Sequence, residues 1–109
     1  MAASIGVVGL GVMGANLARN IESRGFEVVG YDLDAARTRA FLSGPAAGLR
    51  ITGVDSAAAL MASLESPRRV LMMVPAGKAV DEAIAHLSPH LSSGDILICL
   101  LYTSDAADD

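Results

Sequence analysis

The 109 residues amount to one domain or part of one, with room for a modest core. Hydrophobic residues make up 52% and aromatics 4%, a composition suited to a close-packed parallel sheet. The net charge of −4 leaves no basic surface for nucleic acid or an anionic membrane, a lone cysteine excludes an internal disulfide, and no apolar run reaches spanning length, so a cytoplasmic protein with no nucleic-acid or membrane partner is expected.

In chain order, an apolar run predicts a first strand over Ile5 to Gly9. A helix follows from about Val12 to Arg24, with Leu17, Ala18 and Ile21 on one face, and Gly25 stops it. A second strand is expected at Glu27 to Tyr31. Asp34 can cap a helix over Ala35 to Leu42, which ends at Ser43-Gly44-Pro45. A short third strand fits within Leu49 to Val54. Ser56 can cap an alanine-rich helix, Ala57 to Leu64, broken before Pro67. Val70 to Val74 is continuously apolar and suits a strand covered on both faces. Val80, Ile84, Leu87 and Leu91 then recur at helical spacing, and Ser92-Ser93-Gly94-Asp95 turns into a last apolar run, Ile96 to Leu101. Strands alternate with helices throughout, without internal repeat or linker. Right-handed crossovers make this α/β pattern a Rossmann-like doubly wound parallel sheet, cut off after about the fifth strand.

The stretch that carries chemistry is the first strand-to-helix turn. Gly9, Gly11 and Gly14 form a G-x-G-x-x-G between a strand pattern and a helix pattern. Gly9 allows a sharp turn, Gly11 lets a pyrophosphate approach the backbone with no Cβ in the way, and Gly14 lets the helix pack close to the strand. The helix then offers unpaired N–H groups and a partial positive charge to the phosphates. Asp32 comes 18 residues after Gly14, at the tip of the second strand, where a carboxylate accepts hydrogen bonds from the adenosine ribose. A tight turn in some other α/β domain is the plainer alternative, and the context of the motif weighs against it.

Asp32 also bears on cofactor choice. Two unit charges at ~4 Å with an effective dielectric of ~20 interact by ~4 kcal/mol. Solvent at the rim reduces this to about 1 or 2 kcal/mol, still roughly tenfold in affinity. A 2′-phosphate facing Asp32, with Asp34 nearby, is therefore disfavoured, and NAD is expected over NADP. Arg37 and Arg39 are the nearest cations and are expected to face water from within the helix, with phosphate rescue by Arg37 the lesser alternative. Met13 either lines the nicotinamide end or packs ordinarily. Val74, Pro75 and Ala76 close the fourth strand on the edge where ligands bind in such sheets, although Pro75 also suits a plain strand exit. Lys78 is expected in solvent. His86 and His90 lie four apart, but Pro89 interrupts their spacing, so surface histidines are expected rather than a metal site. Met72 and Met73 fill core, and Cys99 has no basic neighbour to activate it.

Taken together these residues resemble the 6-phosphogluconate dehydrogenase family over about residues 4 to 98. The resemblance rests on Ile5-Gly6-Val7-Val8-Gly9 with Val12-Met13-Gly14, Asn16-Leu17, Asn20 to Phe26, Ser66-Pro67-Arg68-Arg69-Val70-Leu71, Val74 with Ala76-Gly77 and Ala79-Val80-Asp81, and Gly94-Asp95-Ile96. The Pro-Arg-Arg strand entry and the Ala-Gly-x-x-Val-Asp segment set it apart from the related 3-hydroxyisobutyrate dehydrogenases, and the cofactor domain of another β-hydroxyacid dehydrogenase of the same superfamily is the nearest rival. The resemblance implies oxidation of 6-phosphogluconate at C3, hydride passing to a nicotinamide cofactor, and loss of CO2 to give ribulose 5-phosphate in a homodimeric parent. It also implies that Gly9, Leu10, Gly11, Val12, Met13 and Gly14, then Asp32, Leu33 and Asp34, and then Val74, Pro75 and Ala76 bind the cofactor.

The chain departs from that family in three places. Asp32-Leu33-Asp34 stands where the family usually has Asn-Arg-Thr or Asn-Arg-Ser, whose arginine grips the 2′-phosphate of NADP. The family often has lysine at Pro75. Beyond Ile98 the family continues Asp-Gly-Gly-Asn-Ser, whereas this chain reads Cys99-Leu100-Leu101-Tyr102-Thr103. Residues 99–109 resemble translated sequencing-adapter sequence added to a truncated frame, with a divergent native tail as the alternative. The family's substrate-binding asparagine and its catalytic lysine and glutamate are not among these residues. No catalytic residue is therefore assigned, no metal is expected, and the chain alone is not expected to be an enzyme. A non-catalytic dinucleotide-binding module is the rival from another class. An incomplete sheet is also expected to leave apolar surface bare and to make the isolated chain poorly soluble.

Overall fold

The computed structural model describes residues 3–44, 46–65, 67–75 and 78–102, less the side chains of 74, 75, 79 and 99–102. In chain order these form β1 (Ile5–Val8), α1 (Val12–Ser23), β2 (Val28–Tyr31), α2 (Ala35–Ser43), β3 (Ile51–Val54), α3 (Ala57–Ala62), β4 (Arg69–Pro75), α4 (Lys78–Leu87), a 3₁₀ turn (Ser88–His90) and β5 (Ile96–Tyr102). Every pairing is parallel, in the order β3-β2-β1-β4-β5. The expected Rossmann-like doubly wound sheet is the fold observed.

Alternation along the strands decides which side chains meet which helices. Val7, Val28 and Ile51 face α1 and α2, where Ala15, Ala18 and Phe41 pack on them. Val8, Val29, Val70 and Met72 point the other way, onto Leu60 and Met61 of α3 and Ala83 and Leu87 of α4. Each fully buried Val, Leu or Met is worth about 1.5–3 kcal/mol, and the apolar runs of the sequence exist because both faces are covered. Successive steps from β1 to β2 to β3 run one way across the sheet, and the crossover through α3 returns to β4 on the far side of β1. The order of the strands therefore reverses between β1 and β4, and in such sheets the crevice at the carboxyl ends of the strands beside that reversal is where ligands sit.

Several element ends differ from the sequence reading, each for a local reason. The third helix stops at Ala62 rather than Leu64, because Leu64 leaves it to form a parallel bridge with Ala3. Ala3 donates to Ser63 O at 2.8 Å and its carbonyl accepts from Glu65 N–H at 3.0 Å. The fourth helix ends at Leu87, and Pro89, which lacks an N–H and crowds the preceding turn, puts the chain into a 3₁₀ turn before Leu91. The last strand pairs with β4 as far as Tyr102 opposite Pro75. The expected caps form: Asp34 accepts from Ala36 N–H at 3.0 Å and Ser56 from Ala59 N–H at 3.1 Å. Leu97 packs with the α3/α4 core, so Ile96 and Ile98 face the opposite side of the sheet, where they are 48% and 43% exposed.

The amino edge of β4 and β5 is held by a polar latch. The Asp95 side chain, 2% exposed, accepts from Arg68 N–H at 2.8 Å, Ser92 N–H at 2.8 Å and Arg68 Nη1 at 3.2 Å. The backbone bond from Arg68, then that from Ser92, hold the carboxyl below its ordinary value of 3.8. A carboxyl that is more acidic folded than unfolded adds stability above its unfolded value, and this stability is lost as pH falls through the lowered folded value. Asp95→Asn is expected to melt below the native chain at neutral pH, with the gap closing below about pH 4. A gap that stays constant into strong acid would count against the latch.

Candidate functional site

The glycine-rich turn lies at the carboxyl end of β1, between β2 and β4. Gly9 takes φ 98°, a left-handed conformation that favours glycine, and its N–H donates to Tyr31 O at 2.8 Å. Gly14 lies so close to the strand exit that a Cβ there would fall 1.8 Å from Gly9 O and 2.9 Å from Gly9 C. Gly11 is different. Among the described residues a Cβ on it would meet only Arg37 Nη1, at 3.9 Å. One glycine closes the helix onto the strand, and the other leaves a bare stretch of backbone opening outward.

Helix α1 starts at that bare stretch with no side-chain cap. Gly11, the N-cap, supplies no side-chain acceptor, and the first turn holds no acid. The first N–H groups of a helix have no partner within it, and together with the helix dipole they favour an anion. Val12 and Met13 stand at the lip, 79% and 49% exposed. The backbone, the dipole and the missing Cβ fit a pyrophosphate.

The tip of β2 is tied to this turn through Asp32. Its carboxylate lies in a residue only 8% exposed, accepting from Leu10 N–H at 2.7 Å through Oδ2 and from Asp34 N–H at 2.8 Å through Oδ1. Leu10 contributes its N–H to this bond and its side chain to the α1/α2 core, 5% exposed. Leu33 is 41% exposed, and Asp34 is exposed with one oxygen on the cap of α2. Burial, and then the charges of Asp32 and Asp55, push the Tyr31 phenol up, so it stays neutral and adds no further charge here.

Arg37 adds to the sequence reading. It is exposed, as expected of a residue facing water, yet its guanidinium ends beside Gly11 rather than away from the turn. Side chains in a helix lean toward its N-terminus, so an arginine in the first turn of α2 reaches back over the β2 tip. The Asp34 cap three residues earlier was the signal that could have revealed this. Among the other sequence candidates, Val74 and Pro75 end β4 as strand residues whose side chains lie outside the description, and Ala76 lies outside the described residues. Lys78 is exposed at the start of α4. Among the described residues no three His, Cys, Asp or Glu side chains gather at one point, and no helix is long and apolar enough to cross a membrane. A cavity of about 430 Å³ beside α2, lined by Thr38, Gly53, Val54 and Ala59 among others, does not touch the glycine turn.

Comparison with known proteins agrees with this geometry. The family described as the NAD binding domain of 6-phosphogluconate dehydrogenase matches residues 4–107. The chain belongs to that family. The decarboxylating 6-phosphogluconate dehydrogenase of Haemophilus influenzae is 49% identical over 94 residues, which cover 86% of this chain and 19% of that protein. The NADP(+)-dependent decarboxylating enzyme of Bacillus subtilis is 51% identical over 94 residues, 86% of this chain and 20% of that one. The solved 6-phosphogluconate dehydrogenase of Plasmodium falciparum, described in apo form and in complexes with its cofactor NADP+ and with 6-phosphogluconate, superposes with a TM-score of 0.81 at 36% identity, over 90% of this chain and 21% of that chain. The chain thus spans about a fifth of the length of these 6-phosphogluconate dehydrogenases, and the family match over residues 4–107 lies in their NAD binding domain.

Proposed function

We propose that the chain is the dinucleotide-holding part of an enzyme that oxidises 6-phosphogluconate and decarboxylates it to ribulose 5-phosphate, and that it is inactive by itself. The observation that supports this best is the outward-opening backbone at Gly11 beside an uncapped α1, set where the strand order reverses. When bound, a nicotinamide dinucleotide supplies the hydride acceptor. The roles of this chain's residues are to bind and orient. Gly9, Leu10, Gly11, Val12, Met13 and Gly14 form the phosphate turn. Asp32, Leu33 and Asp34 shape the ribose end, and Val74, Pro75 and Ala76 border the cleft at the exit of β4. No group here is assigned a proton to move. Residues 1–98 are read as an incomplete cofactor domain and 99–109 as a non-native tail. The parent is read as a cytoplasmic homodimer, as the family resemblance implies. The direct test is the uninterrupted reading frame, expressed and supplied with 6-phosphogluconate and either nucleotide. Release of CO2 with nucleotide reduction is expected, and nucleotide binding without turnover would favour a non-catalytic module.

We also propose that NAD is preferred over NADP. Leu33 carries no charge where the family's arginine grips a 2′-phosphate, and two carboxylates flank it. Arg37 supplies the opposing charge. Its place beside Gly11 suits the pyrophosphate, which both nucleotides share, so Arg37→Gln is expected to weaken both by a similar factor, roughly tenfold. A loss confined to NADP, measured as dissociation constants, would instead make Arg37 the 2′-phosphate ligand and favour the opposite preference.

A further inference from the structure

Two carboxylates, Asp32 and Asp34, stand at the tip of β2, and their surroundings differ. Asp32 is the one a sequence motif selects as the ribose acceptor. In the fold it is 8% exposed, and each of its oxygens is already bonded to a backbone N–H of the chain, Leu10 at 2.7 Å and Asp34 at 2.8 Å. These bonds join the glycine turn after β1 to the turn after β2, the two lips of the proposed cleft. Asp34 is exposed. One of its oxygens accepts from Ala36 N–H at 3.0 Å, and among the described residues its other oxygen has no hydrogen-bond partner.

Resting on the dinucleotide reading above, we propose that Asp34 is the carboxylate that meets the adenosine ribose and disfavours a 2′-phosphate, while Asp32 is a positioning residue that bolts the glycine turn to the tip of β2. The chemistry of the side chains separates the two roles. In this chain the bolt accepts at both atoms, which a carboxylate does and a carboxamide, with one oxygen and one NH2, does not. A discriminator must present charge to solvent at the ribose edge. Of the two acids only Asp34 does so, with Leu33 beside it supplying no cation.

The experiment measures dissociation constants of NAD and NADP for the protein of the uninterrupted reading frame and for its Asp34→Ser and Asp32→Asn variants, with melting curves and amide spectra recorded on each. Serine keeps the cap, so Asp34→Ser is expected to melt close to the native chain and to shift the affinity ratio toward NADP by about tenfold. Asp32→Asn is expected to weaken both nucleotides by a similar factor and leave the ratio unchanged. In that variant the Leu10 amide proton moves upfield on losing its carboxylate acceptor, a change that general loosening of the sheet would not confine to one residue. A ratio that moves in Asp32→Asn but not in Asp34→Ser overturns the proposal. If Asp32→Asn does not fold, the ratio in Asp34→Ser decides alone, and an unchanged ratio overturns it. Failure of a folded native chain to bind either nucleotide overturns the dinucleotide reading itself, and this assignment with it.

Discussion

Gly14→Ala is expected to lower the melting temperature by about 10 °C or more. This is the opposite of what the position suggests, because glycine within a helix costs about 1 kcal/mol relative to alanine, so the substitution ought to stabilise α1. The packing is stronger than the propensity. The added Cβ would fall 1.8 Å from Gly9 O and 2.9 Å from Gly9 C. Both atoms belong to backbone, and Gly9 is fixed by its own N–H bond to Tyr31 O, so neither can swing aside as the end of a side chain would. Relief requires moving the start of α1 away from β1, which strips contacts from Ala15, Ala18 and Val7 in the core between them. Overpacking of this kind costs about 3 kcal/mol or more, against a total stability of about 5–15 kcal/mol. Each kcal/mol shifts the melting temperature of a domain this size by about 4–8 °C. A variant that melts within a couple of degrees of the native chain, or above it, would show that the helix does not pack on the turn as described.

Gly11→Val is expected to do the reverse, keeping the fold and losing the ligand. Gly11 has φ −70° and ψ −169°, extended backbone that valine adopts without strain, and among the described residues nothing lies closer than 3.9 Å to the new Cβ. The cost to the helix start is about 1 kcal/mol or less, since glycine already provides no side-chain cap. The branched side chain would occupy the space through which a phosphate reaches the first N–H groups of α1. Hydrogen bonds to a charged group are worth about 1.5–3 kcal/mol each, so blocking two of them weakens NAD and NADP alike by about a hundredfold or more. The check is calorimetric or fluorescence titration beside a melting curve. Unchanged affinity in a folded Gly11→Val would remove the basis for placing a dinucleotide here. The two glycines, three positions apart in one motif, are thus expected to fail in different assays: Gly14 in stability and Gly11 in binding.

Much of this architecture was legible in the sequence. The first, second and fourth strands announced themselves as apolar runs bounded by glycine, a cap or a turn, because a central parallel strand is covered on both faces and tolerates no polar side. The helices after Asp34 and Ser56 were legible from their caps, since a side-chain acceptor at that position satisfies an N–H the helix cannot. The ends were harder. Leu64 leaves α3 for a bridge with Ala3, more than fifty residues earlier in the chain, and no local pattern around Leu64 encodes a partner so remote. The Asp95 latch was missed for the same reason: Arg68 and Asp95 are 27 residues apart and meet only when β4 and β5 lie side by side.

At the site, the sequence by itself determined the glycine-rich turn, because glycine spacing between a strand and a helix is a local constraint on a few bonds. It also determined that a carboxylate would stand at the tip of β2. Only the tertiary structure decided what that carboxylate faces. Asp32 lies within reach of Leu10 N–H because β1 and β2 are neighbours in register, Val8 opposite Tyr31, which brings the two turns after them together. Arg37 likewise reaches Gly11 only because α2 starts beside the end of β1. Spacing along a chain names the residues that chemistry requires. Which of their atoms remain free for a ligand depends on bonds between segments that are distant in sequence, and those bonds form only when the sheet assembles.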